Sequence, residues 1–162
     1  MDFALAPGTQ GAGIYATSSG SNTDVVVNTF RNVIVSGANQ FAQGGGCEGN
    51  CWIGVQGNNI GQNLGTIMFQ ENGLNADEVV IARMESGSLS NADNLVCYGA
   101  TGSNNIVKLT CDASRTGVTA VQDTGGYNIF HVRTIGSPSL GSVPTSSRYR
   151  YVASGSGSSV NH

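Results

Sequence analysis

The side chains most able to do chemistry are four cysteines, unevenly spaced: three residues separate Cys47 from Cys51, and thirteen separate Cys97 from Cys111. A structural zinc site presents close pairs of ligands. Cys47 and Cys51 meet that spacing, but Cys97 and Cys111 have no near companion, and His131 and His162 are isolated. A redox pair would be C-x-x-C opening a helix, whereas WIGVQG after Cys51 is not a helical sequence. No metal and no cofactor is therefore expected. Covalent stapling explains more. If residues 95–100 and 106–111 fold back on each other about Asn104, Cys97 lies opposite Cys111, within reach of a bond. Cys47 and Cys51 would then close their own loop, where Gly49 tolerates a tight turn. The pairings 47–97 with 51–111, or 47–111 with 51–97, stay open. Disulfides imply an oxidising setting, so the expected location is extracellular, on a virion or at a cell surface.

Other constellations carry less. His131 in NIFHVRT could meet Asp112 or Asp123 and a serine, but serine is too common here for that to be informative, and no G-x-S-x-G elbow occurs. Asp77 and Glu78 are adjacent, and adjacent residues of a strand point to opposite faces, which rules out a paired acid–base role. Glu71, Asn72, Asp77 and Glu78 offer oxygen ligands without the alternate spacing of a calcium loop. The glycine runs GGG and PGTQGAG lack the lysine and helix of a phosphate loop. Trp52, Tyr149 and Tyr151 are the candidate ligand contacts, as rings on which a sugar can stack. No enzyme is indicated.

The elements that must position these residues are short. Apolar residues make up 39% of the chain, enough for a core, yet only 10% of residues are charged, against roughly 25% in an ordinary soluble domain. Lys108 is the one lysine, and the net charge is −3. A surface of Ser, Thr, Asn, Gln and Gly repels its own copies weakly. Without a basic cluster, strong nucleic-acid binding is not expected. No stretch reaches the roughly 20 apolar residues of a membrane span. MDFALAPGTQ lacks the basic start and apolar run of a signal peptide.

Glycine, 24 residues of 162, punctuates β-branched and alternating runs at 13–17, 64–69, 79–82, 95–98, 106–110, 117–121, 127–135 and 148–153. Turn signals such as ENGLN, TGSNN, DTGG and GSPS separate them. About eight short strands predict a single mainly β domain over residues 1–153, an antiparallel sandwich or roll. No fixed-period repeat is visible, which argues against a solenoid. Residues 24–36 fit one helix through Val26, Val27, Phe30, Val33 and Ile34, although their valines also suit a strand. Residues 154–162 read as a flexible Gly/Ser-rich tail.

From Cys47 to Arg83, CEGNCW followed by GTIMFQENGLNADEVVIAR resembles the globular part of GspH/FimT-like minor pseudopilins. Shared features are a cysteine near tryptophan, a Gly–apolar–Phe strand, a polar loop and an acidic residue opening the next strand. The likeness covers under a quarter of the chain, lacks the long apolar N-terminal helix of that family, and implies filament-associated β domains. The function expected is a non-enzymatic structural subunit of a homo-oligomeric extracellular assembly: a virion or capsid, a phage fibre or a pilus-type filament. Its partners would be copies of itself. The alternative is a monomeric adhesin or head domain binding a host receptor or glycan.

Overall fold

The computed structural model describes residues 2–4, 12–17, 25–26, 29–38, 40–45, 47–48, 51–60, 67–72, 78–86, 95–113, 117–136, 138–153 and 159–161. Its strands are β1 (Asp2–Ala4), β2 (Ala12–Thr17), β3 (Val25–Val26), β4 (Thr29–Arg31), β5 (Ile34–Ser36), β6 (Gln40–Gly45), β7 (Cys47–Glu48), β8 (Cys51–Ile60) and β9 (Ile67–Asn72). They continue with β10 (Glu78–Ser86), β11 (Leu95–Ala100), β12 (Ile106–Ala113), β13 (Val118–Asp123), β14 (Ile129–Gly136), β15 (Ser139–Ser142), β16 (Arg148–Ala153) and β17 (Ser159–Asn161).

Each of the eight expected runs overlaps a strand, with residues 64–66 of the second run outside the described residues, but the expected architecture does not form. From β8 to β16 consecutive strands alternate between two sheets, and within each sheet those neighbours pair parallel. The result is a β-solenoid of about four turns, not an antiparallel sandwich or roll. Sheet 1 has nine strands: β1, β5, β8, β10, β12, β14, β16 and β17 in order, with β4 also on β8. Sheet 2 runs β15, β13, β11, β9, β6, β2, and β3 with β7 makes a two-stranded pair. Of the segments expected to be turns, the fully described TGSNN and DTGG are corners: they pass the chain to the facing sheet instead of returning it beside its predecessor. The same residue types serve both, because both need tight backbone and local polar bonds.

The helix expected at 24–36 is also corrected. The described part of that segment holds β3, β4 and β5. Phe30 lies beside Trp52 in register, with ring centroids 4.0 Å apart, and Val35 is fully buried. Pairing along β8 outweighs helical periodicity, as suits a segment dominated by β-branched residues. Of the expected tail, residues 154–158 and 162 lie outside the described residues, while β17 pairs antiparallel with β16.

Inside, residues stack in rows from coil to coil. One row of sheet 1 is Phe30, Trp52, Val79, Val107, Phe130 and Tyr149. In sheet 2, Phe41, Phe69 and Tyr98 stack at 5.5 Å intervals, and edge contacts Trp52–Phe69 and Tyr98–Phe130 join the two sheets. These offset and edge-on geometries suit the ring quadrupoles. Cys97 on β11 and Cys111 on β12 form a disulfide across this core, with Cα atoms 5.9 Å apart. The fold-back about Asn104 thus identifies the right pair, although its partners face each other through the interior and not within one sheet. Asn104 itself has a φ of 63°.

A polar ladder fixes the corners that lead into sheet 1. Asn105, Asn128 and Ser147, all buried, occupy equivalent positions just before β12, β14 and β16. The Asn105 N–H donates to Asn128 Oδ1 at 2.8 Å, and the Asn128 N–H donates to Ser147 Oγ at 3.0 Å. Asp123 anchors the ladder. Its Oδ2 accepts from Ser147 Oγ at 2.6 Å, and its Oδ1 accepts from Asn128 Nδ2 and from the Gly125 and Gly126 N–H groups. Gly125 is required here, because a Cβ would run into the Gly102 carbonyl of the preceding corner. So a buried carboxylate survives because both oxygens are occupied.

Candidate functional site

Strand alternation turns every second residue outward, and the coil-to-coil register lines those residues up. On sheet 1 one outward row reads Arg31, Ile53, Val80, Lys108, His131, Arg150. The next reads Thr110, Arg133, Val152. Lys108, His131, Arg133, Arg148 and Arg150 are all exposed. His131, Arg133, Arg150 and Val152 line a shallow concavity of about 180 Å³. Six of the seven Lys and Arg residues lie in sheet 1; Arg115 is outside the described residues. Arg83 is neutralised locally: its guanidinium meets Asp112 Oδ2 at 2.6 Å and Glu85 Oε1 at 3.2 Å, and the Asp112 bond foremost holds its pKa above the ordinary value. Among the described residues these are the ion pairs, so the cations of β12, β14 and β16 carry uncompensated charge.

The outer face of sheet 2 differs. Its described outward residues are Ile67 and Gln70 on β9, Val96 and Gly99 on β11, Thr119 and Gln122 on β13, and Ser139 and Ser142 on β15. None is charged. Amides and hydroxyls bridge coils: Gln40 Nε2 donates to Gln70 Oε1 at 3.0 Å, and the Thr119 and Ser139 hydroxyls are 3.0 Å apart.

The expected ligand contacts are placed elsewhere. Trp52 and Tyr149 are buried and point into the core, out of reach of a stacking sugar. Neither Trp52 Nε1 nor the Tyr149 hydroxyl has a hydrogen-bond partner. Burial, with a smaller contribution from Tyr151, pushes the Tyr149 phenol up to about 12. Tyr151 is half-buried against the core and its hydroxyl accepts from Thr134 Oγ1 at 3.2 Å. Cys51 is a half-buried free thiol at the start of β8, and the side chain of Cys47 lies outside the described residues. The Cys97–Cys111 bond removes the alternative pairings. His131 has neither aspartate as an orienting partner: Asp112 serves Arg83, and Asp123 serves the corner ladder. Of the acidic group, Glu78 is exposed at the start of β10 and Asp77 lies outside the described residues.

The cationic rows were not anticipated, though a signal for them exists. Residues 1–123 hold all ten Asp and Glu with four Lys and Arg, whereas residues 124–162 hold three Arg and no acid. In a solenoid, position along the chain becomes position along the axis, so that asymmetry concentrates positive charge on the last coils. Among the described residues no helix is long and apolar enough to cross a membrane. No known family model, curated protein or solved structure matches this chain.

Proposed function

We propose that the protein is a non-enzymatic structural subunit of an extracellular homo-oligomeric assembly, and that copies associate side by side through the outer face of sheet 2. The observation that carries this reading is that the described rows of that face are uncharged, built of Gln, Thr, Ser and Gly with Ile67 and Val96. Two such surfaces can meet without stranding a charge, which is the costly step in burying a polar protein face. Growth at the C-terminal end is guarded. β15 is a short, exposed edge strand flanked by Pro138 and Pro144, and antiparallel β17 ends the parallel run of sheet 1. Short edges and prolines of this kind discourage strand addition. The disulfide supports an oxidising location.

Molar mass by light scattering, in non-reducing buffer across a concentration series, tests the reading. The expected result is a mass of several subunits that rises with concentration. A mass near 16.6 kDa at every concentration overturns it.

A further inference from the structure

We propose that the outer face of sheet 1, over β12, β14 and β16, binds an acidic polysaccharide carrying carboxylate or sulfate groups along its length. The inference does not rest on self-association, since the two surfaces lie on opposite sheets.

Lys108, His131 and Arg150 stand in one row on successive coils, with Arg133 beside them and Arg148 at the start of β16. Adjacent coils are about 4.8 Å apart, the spacing of neighbouring strands. That is comparable with the step between sugar residues of an extended glycan, so a chain laid across the strands can present one anionic group per coil. The arginine side chains can grip carboxylate or sulfate with paired donors. β14 and β16 contain no carboxylate, so an incoming anion has no built-in competitor on those strands. Exposed Ile106, Ile129 and Val152 border the cations and offer apolar contact to sugar-ring C–H faces. The outward positions of β12, β14 and β16 present no Phe, Tyr or Trp ring, which leaves a nucleic acid only the His131 imidazole and the guanidinium planes to stack its bases on. The chain as a whole is negative, so this attraction is local and screens within about a Debye length.

The test measures binding of the full chain to heparin, polygalacturonate, neutral dextran and an oligothymidylate, each at low and physiological ionic strength. Heparin and polygalacturonate should bind, dextran should not, and affinity should fall as salt rises. K108Q/R133Q/R150Q should weaken glycan binding by about tenfold or more. R31Q is the matched control. Arg31 belongs to the same outward row but is separated from Lys108 by uncharged Ile53 and Val80, and its loss should change affinity by less than about twofold. All these side chains are exposed, so melting temperatures should hold; if the triple variant melts early, R133Q and R150Q singly carry the test. The proposal is overturned if neither glycan binds at low salt or if the triple variant binds like the parent. Tighter binding of the oligonucleotide than of either glycan at equal charge also overturns it.

Discussion

The two outer faces of the solenoid are built on the same pleat and share one core, yet among the described outward residues one is charged and the other neutral. Sheet 1 carries every described lysine and arginine, and among the described residues those of the last coils make no ion pair. Sheet 2 carries amides and hydroxyls that bond to one another from coil to coil. Stacking explains the contrast. In a parallel coil each outward position repeats at strand spacing, so a residue's neighbours are its equivalents on adjacent coils. A like-charged row repels itself unless something anionic lies across it, whereas a row of amides satisfies itself. One face is therefore suited to an oppositely charged ligand and the other to a second copy.

Coupling between the faces can be broken at the corner. Asp123→Ala should cost about 3 kcal/mol or more, because it strands the Ser147 hydroxyl and the Gly125 and Gly126 N–H groups in a buried site. Denaturant unfolding reads this directly, and a loss below about 1 kcal/mol would show that the ladder is not a keystone. Removing the staple between the sheets, with C97A/C111A, should cost about 3 kcal/mol, the value for closing a loop near 15 residues. Reductant should reproduce that loss in the parent and leave the variant unchanged.

A subtler lever is the Tyr149 phenol beneath sheet 1. Its pKa in the fold, about 12, is raised above the ordinary value near 10. The stability linked to this group is complete below about pH 10 and is lost as pH rises towards 12. Compared across that window, the parent should lose stability faster than Tyr149→Phe. At neutral pH the variant should be close to neutral, since the hydroxyl has no partner to lose. The smallest effect on stability belongs to T119K/Q122K, which puts two cations on the outer face of sheet 2. Its unfolding free energy should stay within about 0.5 kcal/mol of the parent, while light scattering should show self-association abolished. Unchanged association would move the contact to another face.

Much of the local structure was legible. Valine, isoleucine and aromatic runs mark the strands, and Gly, Asn and Asp mark the breaks between them. A solenoid signature is also present in the order of residues, although it escapes a search for a fixed period. Asn28, Asn50, Asp77, Asn105, Asn128 and Ser147 each precede a sheet 1 strand whose second residue belongs to the inner row Phe30, Trp52, Val79, Val107, Phe130, Tyr149. The intervals between those polar residues are 22, 27, 28, 23 and 19. Corners of variable length absorb the difference, so the motif recurs without a constant repeat. The place of Trp52 is not legible from sequence, because a lone tryptophan beside a cysteine suits a ligand contact or the core alike; its stacking on Phe30, 22 residues away, puts it in the core.

From sequence alone come the approximate places of eight of the strands, the meeting of Cys97 with Cys111, and the basic character of the last coils. These follow from local propensity, a fold-back centred on Asn104, and charge composition. Only the tertiary structure decided that strands pair parallel, that consecutive strands lie in facing sheets, and which side chains share a row. A single strand has the same alternation of inward and outward residues whichever way its neighbours run. The choice of neighbour comes from long-range packing of the aromatic rows and from the buried Asp123–Asn128–Ser147 corner, neither of which exists until coils stack.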